Sequence, residues 1–186
     1  MTIHYKTEFF TYWHCGSGLS AGADVDLLTV KDADGFPFIP GKSVKGLMRE
    51  AAETLAGLIP DRYPSQDEVD QIFGQEGTLQ GCAFFSNAEF PDADKAVLHG
   101  NAKYLFTAVS STSIDDNGIA KEHSLRRTEV ALPCALTGVI MHWPDDVKSQ
   151  RLIEDSLSFV KRLGENRNRG LGRCRFSIIK EEADNE

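Results

Sequence analysis

Two short basic segments contain the residues whose types and spacing could bind an anion. In the first, residues 39–49 (IPGKSVKGLMR), a turn leads into a helical pattern with Ser43 as its predicted N-cap. Free amides and the helix dipole at such an N-terminus favour an anion, and Lys42, Lys45 and Arg49 share one helix face. We predict that this face, Ser43 included, follows a phosphate backbone; the alternative is a solvated face with ordinary lysines. The spacing of a Walker phosphate loop is missing.

The second basic segment is residues 166–173 (NRNRGLGR). Arginine forks suit phosphate oxygens, and glycines allow the main chain to approach a ligand closely. The alternative is a helix C-terminal turn whose bases only complement the helix dipole. The pattern opens a strand rather than a helix, so it is not a dinucleotide fingerprint. The predicted binding residues are Asn166, Arg167, Arg169, Gly170, Gly172 and Arg173.

Four aspartates lie in or near the loop that precedes the first basic segment. Asp24, Asp26, Asp32 and Asp34 could hold a divalent cation or position an attacking hydroxyl group. Their spacing is not that of an EF-hand. Because most surface aspartates are only solvated, solvation is the alternative for each of them.

Histidines provide a separate candidate chemistry. His14 and Cys15, beside a glycine-rich loop at residues 16–22, are the most suggestive pair. A general base at His14, or a zinc site that adds distant cysteines, is conceivable from the residue types. The alternative is a histidine with no chemical role. The four cysteines are scattered without a CxxC pair, so neither a disulfide framework nor a zinc finger can be read from them.

Length and composition set the frame for these sites. The chain has 186 residues, 41% hydrophobic and 26% charged, which favours one globular domain. No apolar run is long enough for a membrane span, and no secretory signal is evident, so a cytoplasmic protein without a membrane partner is expected. The net charge of −8 argues against a nucleic-acid partner. However, residues 36–49 carry +3 and residues 121–175 carry +4, whereas residues 50–100 carry −8.

The elements that must position these residues follow from hydrophobic periodicity. They predict an α+β fold with a ferredoxin-like (RRM-like) β-α-β-β-α-β core, with insertions after the first strand and in the middle. Residues 1–180 form one domain, and residues 181–186 form an acidic disordered tail. The predicted strands are residues 3–14, 81–90, 103–109, 129–143 and 174–180, the helices are 43–59 and 146–163, and 61–79 and 110–127 are polar connections.

Taken together, these motifs resemble those of a known family. The first strand and its glycine loop are followed by FPFIPGKSVKGLMRE, an IFG segment, a GCAFFSNAEF strand and the terminal NRNRGLGRC. The chain resembles the RAMP superfamily of CRISPR-associated proteins, and most of all the repeating backbone subunits of type III effector complexes of the Csm and Cmr kinds. The resemblance covers nearly the whole chain.

The resemblance implies a role in antiviral defence. Such subunits associate with themselves along a guide RNA, in a complex with other Cas subunits, and a β-hairpin called the thumb wedges between guide and target RNA. Residues 113–119 resemble that thumb, and Lys121, Arg126 and Arg127 follow it; residues 110–127 would be mobile in the free protein. Asp26 matches the aspartate of target-cleaving members, with Mg²⁺ or a similar divalent cation assisting and no organic cofactor expected.

Three other functions remain open from the sequence. The chain could be a structural RNA-binding subunit without catalysis. It could be a processing endoribonuclease of another RAMP family that cuts precursor guide RNA with a histidine such as His14 as general base. The net charge alone would also fit an acidic scaffold that never touches RNA.

Overall fold

The fold is an antiparallel sheet covered on one face by helices. The computed structural model describes residues 1–20, 25–75, 77 and 80–179. The strands are β1 (Thr2–Phe9), β2 (Phe84–Phe85), β3 (Phe106–Ser111), β4 (Arg126–Ala131), β5 (Ala135–Met141) and β6 (Cys174–Ile178). The helices are α1 (Gly41–Leu58), α2 (Gln66–Phe73), α3 (Asp92–Val97) and α4 (Val147–Phe159).

The main sheet has the strand order β2-β5-β1-β6, and all its pairs are antiparallel. The central strand β1 pairs with β5 on one side and with β6 on the other, so Tyr5 lies between Gly138 and Ile178. Helix α1 connects β1 to β2, and α4 connects β5 to β6. The predicted ferredoxin-like β-α-β-β-α-β core is therefore confirmed.

The core lies between the main sheet and the helices. Alternation along β1 directs Ile3, Tyr5, Thr7 and Phe9 toward the helices and leaves the intervening side chains on the open face of the sheet. Each fully buried large apolar side chain contributes roughly 1.5–3 kcal/mol relative to an exposed one. The helices contribute Val44, Met48, Ala51 and Ala52 from α1 and Leu152, Ile153 and Leu157 from α4.

Helix α1 starts two residues earlier than predicted. The amides of Ser43 and Val44 both donate to the carbonyl oxygen of Pro40, which is the N-cap, so Ser43 lies inside the first turn. The prediction of Ser43 as N-cap was wrong. Gly41 is buried against β2: a Cβ atom there would lie 2.1 Å from the carbonyl oxygen of Phe85. Only glycine lets the helix begin so close to the strand.

Helix α2 lies within residues 61–79, which were predicted to be a polar connection without a helix. Ser65 and Glu68 form a capping box, in which each side chain accepts from the other residue's amide. Val69, Ile72 and Phe73 are buried against the rest of the core. The local S-x-x-E signal before an apolar pattern was therefore present in the sequence and was missed.

Four predicted elements were too long. The strand predicted for residues 3–14 ends at Phe9, and the strand predicted for residues 81–90 retains only Phe84–Phe85. Helix α4 ends at Phe159 rather than at residue 163, because Val160 leaves the helical region and residues 161–163 pair with residues 172–174 instead. The single strand predicted for residues 129–143 is divided into β4 and β5. Pro133 lies between them and has no amide to donate, so the chain leaves one sheet there and enters another.

Strands β3 and β4 form a separate two-stranded hairpin that contains the predicted thumb. Ser110, Ser111, Arg126 and Arg127 pair within the hairpin, so the connection is residues 112–125 rather than 110–127. Its mobility remains a prediction, and the predicted acidic tail lies outside the described residues. In the described part of the chain, no helix combines the length and apolar character needed to cross a membrane.

The contact of Gly41 with β2 predicts opposite effects for two glycine substitutions in α1. Gly41→Ala should lower the free energy of unfolding by at least about 2 kcal/mol, because backbone atoms of β2 must move. Gly46→Ala is the matched control: nothing lies within 4 Å of its Cβ position. It should raise stability by about 0.5–1 kcal/mol, because alanine favours helix. Urea unfolding measures both, and equal effects would contradict the contact.

Candidate nucleic-acid interface

The predicted catalytic residue Asp26 lies against β4, near the end of the β3–β4 ladder from which the connection 112–125 emerges. Its amide donates to the carbonyl oxygen of Arg127 over 2.9 Å, and its Oδ2 atom accepts from the amide of Arg127 over 2.7 Å. The next residue, Leu27, pairs in parallel with Thr128 of β4. Asp26 is exposed, and Oδ1 accepts no hydrogen bond within the described residues. The carboxylate is thus oriented by the hairpin and open to solvent.

The hairpin ends in an exposed apolar tip. Ile114, Ile119 and Leu125 are 62%, 64% and 66% exposed. The turn between the two isoleucines is ordered locally, since Oδ1 of Asp115 accepts from the amides of Asn117 and Ile119. Where the connection returns to β4, the predicted binding residues Arg126 and Arg127 are exposed. The structure thus places apolar side chains at the tip and cations beside Asp26.

A buried histidine connects the Asp26 segment to the hairpin. Nδ1 of His14 lies 2.6 Å from the carbonyl oxygen of Glu129 and 3.2 Å from Oγ1 of Thr29. Because a carbonyl only accepts, Nδ1 carries the hydrogen. Thr29 also donates to the carbonyl of Glu129. His14 is 0% exposed, so its ring cannot reach a phosphodiester in this conformation. This burial argues against His14 as a general base.

The neighbouring thiol is also unsuited to chemistry. Burial, and then the charges of Glu165 and Cys174, raise the pKa of Cys15 to about 12. All four cysteines are free. Among the described residues, no group of three or more histidine, cysteine or acidic side chains could hold a metal ion. The zinc site considered for His14 and Cys15 therefore has no support here.

The remaining candidate aspartates differ in their environment. Oδ1 of Asp32 accepts from the amides of Asp34 and Phe36, and Oδ2 forms an ion pair with Lys95 at 2.8 Å. Partial burial acts to raise the pKa of Asp32, but these hydrogen bonds and the lysine charge outweigh it and lower the pKa. Asp32 therefore stabilises the turn at residues 32–36. Asp34 is exposed, and Asp24 lies outside the described residues.

On α1, the predicted cations are not equivalent. Lys42 lines a groove of about 900 Å³ between the start of α1 and the open face of the sheet. Lys45 is half-buried, and neither lysine has an ion pair in the described structure. Arg49 instead contacts Glu53 at 2.6 Å and Asp70 at 3.5 Å. These two carboxylates neutralise most of the Arg49 charge. The spacing of residues along the helix could not predict that pairing.

The glycine- and arginine-rich segment packs against the residues that follow β1. Gly172 donates to the carbonyl of Tyr12, and its φ of +68° together with a Cβ position 1.8 Å from the carbonyl oxygen of Leu163 requires glycine. The amide of Glu165 donates to the carbonyl of His14. Because the His14 ring in turn contacts β4, this bond connects the basic segment to the hairpin. Asn166 and Gly170 both adopt left-handed backbone conformations on either side of a 3-10 turn, Arg167–Arg169.

The two basic segments meet at one ion pair. Arg167 of the loop contacts Glu50 of α1 at 3.4 Å. Glu50 and Arg49 are consecutive and therefore lie about 100° apart around the helix axis, so Arg49 faces α2 while the loop lies on the other flank. The predicted residues of α1 are thus near the loop but do not all share one face with it. Arg169 and Arg173 are exposed.

The sequence analysis did not identify Asn87, which contacts the start of α1. Oδ1 of Asn87 accepts from the amide of Gly41 over 3.0 Å, and Asn87 lines the groove beside Lys42. It caps the helix from 46 positions along the chain. No local signal could identify that role, because capping residues are ordinarily sought next to the helix they cap.

Comparison with known proteins identifies a matching family model and a related protein. The family model described as the RAMP superfamily matches residues 6–175. The CRISPR system Cms endoribonuclease Csm3 of Enterococcus italicus is 36% identical over 107 residues, which are 50% of this chain and 50% of that protein. The chain thus spans about half the length of this relative.

Solved structures agree in fold. A chain of the Type III-B Cmr-beta bound to cognate target RNA is 12% identical with a TM-score of 0.71, covering 96% of this chain and 97% of that one. A chain of the apo state of Type III-B Cmr-beta is 14% identical with a TM-score of 0.67, covering 97% and 98%. At these identities the likeness concerns the fold alone.

The buried position of His14 predicts a large effect on stability. His14→Ala should lower the free energy of unfolding by about 2–4 kcal/mol, because it leaves a cavity where a buried ring was and removes one of the two donors to the Glu129 carbonyl. His14→Asn keeps a donor near Nδ1 and should lose less. His99→Ala, at an exposed position, is the control. Thermal unfolding compares the three, and a His14→Ala variant as stable as the control would contradict this role.

Proposed function

The chain belongs to the RAMP superfamily, and from this premise we propose that it is a repeating backbone subunit of a type III interference complex. It binds guide RNA along its length and takes part in cleavage of target RNA through Asp26. The observation that carries the proposal is the position of Asp26, held by the Arg127 amide of β4 close to the start of a connection that has an exposed apolar tip. The similarity to a protein named Csm3 endoribonuclease supports the reaction class.

In this mechanism RNA supplies its own nucleophile. The 2′-hydroxyl group attacks the adjacent phosphorus, and the 5′-oxygen of the next nucleotide leaves, giving a 2′,3′-cyclic phosphate and a 5′-hydroxyl group. The protein mainly has to hold these atoms in line and stabilise the developing charge. Oδ2 of Asp26 is fixed by the Arg127 amide, which leaves Oδ1 to face the substrate. The guanidinium groups of Arg126 and Arg127 would offset charge on the phosphate.

A divalent cation is part of the proposal. Mg²⁺ is usually bound by one or two carboxylates together with substrate phosphates, and the exposed Oδ1 of Asp26 is a suitable oxygen of that kind. The described residues would hold it only through this carboxylate, so the RNA would supply the other anionic ligands. When bound, the ion would stabilise negative charge on the scissile phosphate.

A structural RNA-binding subunit without catalysis is the second candidate. The proposed mechanism rests on one carboxylate, Asp26, and His14 cannot serve as a base beside it because it is buried. The same burial disfavours a processing endoribonuclease that would use His14 as general base. The exposed cations at the start of β4 and in residues 166–173 favour RNA binding over an acidic scaffold.

Cleavage distinguishes the two candidates. In the assembled complex, Asp26→Ala should bind guide and target RNA normally but cut target at least about 100-fold more slowly, the loss typical of removing a group that positions or stabilises the reacting atoms. Asp24→Ala tests the neighbouring carboxylate, and Asp34→Ala, an exposed position, is the control. Cutting by Asp26→Ala at the wild-type rate would show that the subunit is structural.

Guide binding should depend on the unpaired cations. Each lost phosphate contact lowers the salt slope of single-strand binding by about 0.7, so Lys42→Ala/Lys45→Ala and Arg169→Ala/Arg173→Ala should each lower it by about 1.4. Arg49→Ala should lower it less, because Arg49 is paired with Glu53 and Asp70. RNA affinity measured against salt concentration gives the slopes. Wild-type affinity and slope in both double variants would contradict the proposed binding surface.

A further inference from the structure

Two large aromatic side chains remain exposed just after β1. Phe10 is 42% exposed and Tyr12 is 43% exposed. Phe9 is buried toward the helices, and strand alternation therefore directs Phe10 to the open face of the sheet. The next aromatic residue, Trp13, is fully buried and stacks on Phe9 with ring centroids 4.4 Å apart. The core therefore buries Phe9 and Trp13, whereas Phe10 and Tyr12 remain at the surface.

Cations accompany these two rings. The guanidinium carbon of Arg175 lies 5.2 Å from the centroid of the Phe10 ring. On β6, Cys174 and Phe176 are buried, so Arg175 and Arg173 fall on the exposed side. Neither arginine takes part in an ion pair within the described part of the chain. The cationic charge beside the rings is therefore not neutralised by the protein.

This patch of Phe10, Tyr12, Arg173 and Arg175 is continuous with the second basic segment. The amide of Phe10 donates to the carbonyl of Arg173 over 2.9 Å, and the amide of Gly172 donates to the carbonyl of Tyr12 over 2.8 Å. The backbones carrying the rings and the arginines are thus held side by side. Glu8 pairs opposite Arg175 in the strand register and is the acidic residue beside the patch. Arg173, Arg175 and the nearby Lys6 outnumber it, so the net charge of this region is positive.

We propose that this patch is a stacking platform for unpaired bases of single-stranded RNA. Aromatic faces and arginine planes beside a positive track are the elements that bind single strands through their bases, and stacking contributes about 1–3 kcal/mol per base. A positive patch on a chain with a net charge of −8 favours a polyanion as occupant. The inference rests on the proposed function only in naming RNA as the ligand, and it adds Phe10, Tyr12 and Arg175 to the predicted contacts.

The first test removes the rings singly. Phe10→Ala and Tyr12→Ala should each weaken binding of a fluorescent single-stranded RNA by about 5- to 150-fold. Tyr104→Ala is the matched control, because Tyr104 is 66% exposed and has Lys103 at 5.1 Å from its ring centroid. It should bind as wild type does. Thermal unfolding should be unchanged in all three, since the rings are exposed.

The second test separates stacking from apolar contact. Phe10→Trp should retain affinity, whereas Phe10→Leu, of similar bulk but without a π face, should lose as much as Phe10→Ala. An RNA in which several bases are replaced by abasic units should bind wild type more weakly and be insensitive to Phe10→Ala. A Phe10→Leu variant that binds as wild type, or equal effects of Phe10→Ala on both RNAs, would overturn the proposal.

The outcomes also separate this inference from the proposed function. If the lysine variants of α1 weaken RNA binding and the aromatic variants do not, only the stacking platform is wrong. If no variant of either surface changes RNA binding, the proposed function fails with it. If Phe10→Ala leaves RNA affinity unchanged but alters self-association in sedimentation velocity, the patch docks another copy of the chain, and the RNA inference is overturned.

Discussion

The hydrogen bond from buried His14 to the Glu129 carbonyl is the constraint on which the functional surfaces depend. The ring joins three segments that are distant in sequence: the residues after β1, the strand β4 and Thr29 near Asp26. The backbone of His14 adds residues 164–173 through the amide of Glu165. Thr29 Oγ1 donates to the same carbonyl, so two side chains hold β4 against the residues after β1. Each such hydrogen bond contributes about 0.5–1.5 kcal/mol.

Intrachain pairing decides which cations remain available to a polyanion. Because the chain is acidic overall, many of its bases have carboxylates nearby. Lys31, Arg49, Arg62 and Lys95 contact acids, and Arg167 is shared with Glu50. Fourteen of the described lysines and arginines form no ion pair, and those in the candidate binding segments are Lys42, Lys45, Arg126, Arg127, Arg169, Arg173 and Arg175. The net charge is therefore a poor guide to this protein's partners, because charges at the surface act only within about 8 Å at physiological salt.

The two faces of the main sheet differ: one is buried in the core, and the other is open to solvent. One face of the sheet packs against α1 and α4, and the Gly41 contact with β2 brings the start of α1 close to that sheet. The opposite face remains open and has charged and aromatic side chains at its ends. The hairpin extends from the core as a separate small sheet, so its exposed tip can contact another molecule without loss of core packing.

The sequence by itself determined the fold class and the positions of the two basic segments, and the family resemblance singled out Asp26. Periodicity predicted α1, α4 and β1, because short-range propensity and burial of one face act on neighbouring residues. The tertiary structure decided which of these residues are available for function. It buried His14, paired Arg49 with Asp70, set Asp26 against Arg127, and placed Arg175 over Phe10. The Asp26 and His14 contacts join residues 101 and 115 positions apart, where packing and strand register, rather than local pattern, choose the partner.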